Sequence, residues 1–228
     1  MGFPPEPAWV VSAVDEHRQH WRPRQVQVLL LAESHVYTDD AVTLNYDDFP
    51  ELKSLPNKYV RLVYCLGYGE KSLVDGKLTH NRGTPQFWKI LSTCADAPKK
   101  KVLKTGEPED TLRIRNKVEV LKKLRRSGVW LQDASIVALY RKGVKPTTGL
   151  REKIISECWT RYILPQIRSE KPQPRVIVIG EHVYRILSRQ TQSEVITGWI
   201  RQPQGCRRKG QFDAQLKKLH AMLTNTSK

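Results

Sequence analysis

Short continuous apolar runs alternate along the chain with longer stretches whose apolar residues recur at helical spacing. This is the order expected of a parallel sheet with helices on both faces. Residues 26–32 (VQVLLLA) are too apolar for a strand buried on one face only, so they are predicted as the first central strand, after a helix over 8–20 that ends before Trp21-Arg22-Pro23. Leu112, Ile114, Val118, Leu121 and Leu124 keep helical spacing up to Arg126, and Gly128 then opens a second strand over 129–131. A stronger helix carries Leu150, Ile154, Ile155, Cys158, Trp159, Tyr162 and Ile163 on one face. Pro165 is placed to kink its end, and Pro172 and Pro174 introduce a third strand over 176–179. Residues 181–188 and 212–223 read as further helices, and the run 195–200 as a fourth strand. The fold class is therefore α/β, a three-layer α/β/α arrangement around a mostly parallel sheet of about four strands.

Two stretches interrupt this order. Residues 60–66 (VRLVYCL) resemble a strand or hairpin arm, within an insertion near 50–83 that precedes a helix starting at Thr84-Pro85, a threonine N-cap followed by proline at the first helical position. Residues 97–110 combine Lys99, Lys100, Lys101 and Lys104 with Gly106, Pro108 and three acids, the composition of a mobile basic loop. With no repeat and no other break, the whole chain, 1–228, reads as one domain.

Charge narrows the partner. Against 23 acidic residues stand 39 Lys and Arg, a formal +16, which favours a polyanion, nucleic acid before an anionic membrane surface. No run of apolar residues is long enough to span a bilayer, and the first residues lack the basic-then-apolar pattern of a signal peptide, so a cytoplasmic protein is expected, nucleoid-associated if bacterial. Cys65, Cys94, Cys158 and Cys206 form no C-x-x-C pair and are read as reduced thiols, with no metal, iron–sulfur cluster or other cofactor expected.

Ligands of an open parallel sheet bind beyond the carboxyl ends of its strands, and here those ends are polar. Glu33, Ser34, His35 and Tyr37 follow the first strand, Gln132, Asp133 and Ser135 the second, and Gly180, Glu181 and His182 the third. After the fourth come Arg201, Gln202, Pro203, Gln204, Gly205, Cys206, Arg207, Arg208 and Lys209. Acid, amide, imidazole and positive charge thus converge on one edge. His182 is read as a surface residue, Trp88, Trp159 and Trp199 as core anchors, and turn capping is a second role open to Glu33, His35 and Asp133.

From Val26 to Leu223 the pattern resembles the uracil-DNA glycosylase superfamily. Leu29-Leu30-Leu31-Ala32-Glu33-Ser34-His35 stands where that superfamily has its first motif, and Phe87-Trp88-Lys89 looks like a helix of the mismatch-specific uracil and thymine glycosylases. Residues 158–180 resemble the helix and strand before the last motif, and Trp199-Ile200-Arg201-Gln202-Pro203-Gln204-Gly205 looks like the closing motif, whose loop enters the DNA minor groove. The resemblance implies a monomeric enzyme that flips an altered base out of DNA and hydrolyses its N-glycosidic bond. Glu33, Ser34, His35 and Gln202 would be catalytic, with Glu33 or His35 orienting water. Tyr46 would stack on the base, ahead of Phe49 and Tyr37, and Asp133 or Gln132 would read its edge, while Arg201, Gln204, Arg207, Arg208 and Lys209 would hold DNA. The departures are specific: Ala32 replaces Gly, Ser34 an Asp or Asn, His35 a Pro, and Gln202 a His or Asn. A hydroxyl stabilises a developing cation less well than a carboxylate, so two other functions stand beside the first. One is a nucleic-acid-binding protein without hydrolysis; the other is an enzyme acting on a free nucleoside phosphate.

Overall fold

The computed structural model describes residues 5–74, 78, 81–104, 109–141, 144, 146–190 and 195–224. Four short strands, β1 (Val28–Ala32), β2 (Val129–Asp133), β3 (Arg175–Ile179) and β4 (Ile196–Ile200), form one all-parallel sheet in the order β2-β1-β3-β4. The fold is α/β. Val28 lies opposite Val129 on one side and Arg175 on the other, and every residue of β1 and β2 is buried. Their continuous apolar runs arise because both faces of the sheet are covered.

The helices are α1 (Ala8–His20), α2 (Pro85–Cys94), α3 (Asp110–Arg126), α4 (Thr148–Cys158), α5 (Leu164–Ser169), α6 (Glu181–Ser188) and α7 (Gln211–Thr224). Between α4 and α5 the residues Trp159–Ile163 form a π-helical turn. Pro165 has no N–H for the carbonyl four residues before it, so the expected kink takes the form of a widened turn. Thr84 holds the N-cap position of α2 with Pro85 behind it, but its hydroxyl makes no capping bond.

Residues 60–66 are not a strand. They are a chain of turns, with Leu62 N–H donating to Val60 O at 2.9 Å and Cys65 N–H to Leu62 O at 3.0 Å, and apart from the half-buried Arg61 they are buried because local bonds satisfy the backbone while the side chains join the core. The hydroxyl of Tyr64 accepts from Leu131 N–H at 2.7 Å, so this segment covers the edge of β2. In the loop expected over 97–110, Lys99–Val102 form a 3-10 turn with Val102 buried, and 105–108 lie outside the described residues. The four cysteines carry no disulfide, with Cys65 and Cys158 buried. Among the described residues no helix is long and apolar enough to cross a membrane.

Candidate functional site

The polar strand ends meet at a cavity of about 440 Å³ at the carboxyl edge of the sheet, within the size range of small-molecule sites, roughly 300–1,000 Å³. β1 delivers Glu33, Ser34 and His35, β2 delivers Asp133, and the turn after β4 delivers Gln202 and Gln204. Leu62 and Val63 of the turn-rich segment, Phe87 of α2 and Tyr140 supply apolar and aromatic wall. Gly180 brings β3 and the last turn together: its φ is +132°, and a side chain there would place its Cβ 3.2 Å from Gln202 Cγ.

Glu33 is the most heavily bonded group of the site. The Tyr140 hydroxyl donates to both its oxygens at 3.1 Å, Arg151 of α4 forms an ion pair with it, and Gln202 Nε2 donates at 3.3 Å across a separation of 169 residues. Arg151 also lies over the Tyr140 ring, 5.5 Å from its centroid. Burial and the Glu33 charge push the Tyr140 hydroxyl up to about 12, so it keeps its proton and acts as a donor. Ser34 lines the cavity, and its hydroxyl oxygen accepts from Leu139 N–H at 3.3 Å.

His35 does not present its ring to the cavity. The side chain has no accessible surface, with Nε2 2.7 Å from Glu6 Oε1 and Nδ1 3.4 Å from Asp133 Oδ2. Burial opposes its charge, but the facing Asp133 and Glu6 carboxylates outweigh that cost and raise its pKa above the usual value. The ring is therefore not placed to orient water directly, and it bridges Glu6 and Asp133 instead. Asp133 is likewise committed. Burial alone would raise its pKa, yet the Arg18 guanidinium and His35 hold it below the ordinary carboxylate range. It is an ionised partner of α1, at the cavity wall, and is not held protonated in an apolar pocket.

Two expected base contacts lie elsewhere. Successive residues of a strand face opposite sides of the sheet, so Leu131 and Asp133 reach the cavity whereas Trp130 and Gln132 face α5. There Gln132 Nε2 donates to Gln166 Oε1 at 3.4 Å. Tyr46 is a core residue whose hydroxyl donates to Pro56 O at 3.0 Å, and Phe49 and Tyr37 are also buried away from the cavity lining. Phe87 and Tyr140 are the aromatic residues that line the cavity among the described residues.

Arg201, Arg207, Arg208 and Lys209 are exposed beside the cavity-lining Gln202 and Gln204. Arg201 lies 3.7 Å from Glu181, while the other three carry no ion pair among the described residues. The contributors that sequence patterning does not reveal are Glu6, Arg18, Tyr140 and Arg151. Glu6 is a lone acid between prolines, Arg18 is a helix residue at the end of α1, and neither Tyr140 nor Arg151 follows a strand. Among the described residues no group of three or more His, Cys, Asp or Glu side chains is placed to hold a metal ion. No family model matches the chain, and neither a curated protein nor a solved structure matches it.

Proposed function

We propose that this protein is a DNA glycosylase-like enzyme that receives an altered base in the cavity and hydrolyses its N-glycosidic bond. The observation that carries this reading is the hydrogen bond from Gln202 to Glu33, which joins the segments resembling the first and closing glycosylase motifs at the mouth of one cavity. In the reaction the C1′–N bond breaks with its electron pair passing to the base, water adds to C1′ to give the 1′-hydroxyl, and the proton that the water loses ends on the departing base. The Glu33 carboxylate is the acidic group that would face the cationic sugar, held in place by Tyr140 and Gln202. Phe87 offers a stacking face, Ser34 a hydroxyl proton and Gln202 a carboxamide for the base or the water. Arg207, Arg208 and Lys209 supply phosphate contacts beside the opening.

A second reading, a nucleic-acid-binding protein without hydrolysis, is favoured by one feature: each carboxylate of the wall already faces a cation, Glu33 facing Arg151 and Asp133 facing Arg18. Turnover separates the two. Duplexes carrying deaminated, alkylated or mismatched bases are incubated with micromolar protein, and abasic sites are revealed by alkaline cleavage. Abasic product on at least one duplex, lost in Glu33→Gln, supports the enzyme; tight binding with no product on any duplex supports the second reading.

A further inference from the structure

A second cavity, of about 240 Å³, opens where α2 begins. Among the described residues its wall holds Arg82, Lys89, Lys104 and Lys117 against one carboxylate, Glu70. That carboxylate is fully buried and already bonded by both Arg113 and Lys117. Fastening Glu70 to α3 explains Arg113 and Lys117. It does not explain why Arg82, Lys89 and Lys104 gather at the same opening with no acidic partner among the described residues. Like charges so placed repel one another unless an anion lies between them. Lys117 is buried with its Nζ 4.8 Å over the Trp88 ring, and burial, with the nearby Arg113 and Lys104 charges, lowers its pKa even though Glu70 is its partner.

The cavity has a built rim. Gly83 has φ +67°, and a Cβ on it would lie 2.9 Å from Gly69 Cα, so bare backbone is required where the two loops close. Thr84 lines this cavity and the first one alike, and its buried hydroxyl has no hydrogen-bond partner among the described residues.

We infer that the second cavity is a phosphoryl-oxyanion subsite. A nucleotide carries its phosphate one sugar away from its base, and the two cavities are neighbours that share Thr84 in their walls. The source we assign, a backbone phosphate beside the extruded nucleotide, rests on the proposed function; the oxyanion chemistry of the subsite does not.

The test is made on the full chain. Inorganic phosphate is titrated at constant ionic strength while the Trp88 indole N–H and the Lys117 side chain are followed by NMR, with chloride as the control. Wild-type protein is expected to give a saturable shift that chloride does not reproduce. Lys89→Gln with Lys104→Gln, at positions that are at least partly exposed, is expected to weaken it tenfold or more. No saturable shift, or an equal one in the double variant, overturns the subsite. A second arm uses altered-base duplexes with a neutral methylphosphonate at single linkages beside the base. The double variant is expected to lower the salt slope of binding by about 2, and one methylphosphonate to weaken wild type but not the variant. A phosphate shift with no methylphosphonate effect at any linkage overturns the backbone assignment and gives the subsite to a free phosphorylated molecule. Because the first arm contains no DNA, a protein that never cleaves still reports on the subsite, and an active enzyme without a phosphate shift loses only the subsite.

Discussion

Arg18 on α1 and Asp133 at the end of β2, 115 residues apart in sequence, form an ion pair in which each side chain is only 5% exposed. The first helix is thereby pinned to the floor of the candidate site. Removing one partner strands a buried charge, so Arg18→Met is expected to lower stability by about 3–5 kcal/mol. Asp133→Asn is expected to destabilise too, with base preference unchanged, because its carboxylate is engaged by Arg18 and His35. The sign with pH follows from its depressed pKa. The stabilisation is present above the unfolded value, near 3.9, and is lost as pH falls through the lower folded value. Urea unfolding of wild type and Asp133→Asn between pH 3 and 7 measures this, with the gap narrowing in acid. A gap that widens in acid, or no gap at pH 7, contradicts it.

His35 titrates in the opposite sense. Its raised folded pKa means that its contribution is fully present below the unfolded value, near 6.5, and is lost as pH rises through the folded value. Glu6→Gln removes one of the two facing carboxylates and is expected to bring the imidazole pKa down. Imidazole NMR titration reads this directly, and an unchanged His35 titration in Glu6→Gln rules out the coupling. Wild type is also expected to exceed the variant in stability by more at pH 6 than at pH 9.

The legible part of this structure is the part set by period. Buried strands read as unbroken apolar runs, and α1 and α6 coincide with the expected 8–20 and 181–188 because Pro23 and Gly180 bound them sharply. Residues 60–66 misled because apolar content reports burial, whether the backbone bonds to a neighbouring strand or to its own turns. Glu33 and Gln202 were legible as strand-end polar groups. Tyr46 lies 13 residues after Glu33, close to the spacing of the stacking aromatic in the superfamily it resembles, but spacing says nothing about which side of a loop faces the core. Glu6, Arg18 and Arg151 act through contacts between distant segments, for which no local pattern exists.

Glu33 anchors the wall of the first cavity through Tyr140, Arg151 and Gln202. Glu33→Gln keeps the size of the side chain but removes its charge. Single-turnover cleavage of the responsive duplex is expected to fall roughly a hundredfold or more, with binding nearly intact. Equal losses of cleavage, binding and melting temperature would make Glu33 an anchor of α4 alone.

The stacking assignment is tested by a pair of variants. Phe87→Ala removes an aromatic face from the cavity and is expected to weaken binding of an extruded base by about 1–3 kcal/mol. Tyr46→Phe loses the bond to Pro56 and is expected to cost about 1 kcal/mol of folding stability while leaving DNA binding unchanged. Fluorescence of 2-aminopurine beside the altered base reports extrusion for both. Reduced binding in Tyr46→Phe with an unaffected Phe87→Ala would return the stacking role to Tyr46.

The run Arg207, Arg208 and Lys209 follows the Gln202–Gln204 turn and is exposed without acidic partners among the described residues. A second basic surface, with Arg24, Arg125, Arg126 and Lys171, lies where β1, β2 and β3 begin, at the opposite end of the sheet. Only the first adjoins the cavity, and a base can enter the cavity only if its phosphates run past that edge. Neutralising Arg207, Arg208 and Lys209 together is therefore expected to weaken binding to all sequences alike and to lower the slope of log K against log salt by about 2–3. Neutralising Arg24, Arg125 and Arg126 is expected to leave the slope unchanged. The reverse outcome would put DNA on the far end of the sheet, where no extruded base could reach Glu33 or Gln202, and the glycosylase reading would fail with it.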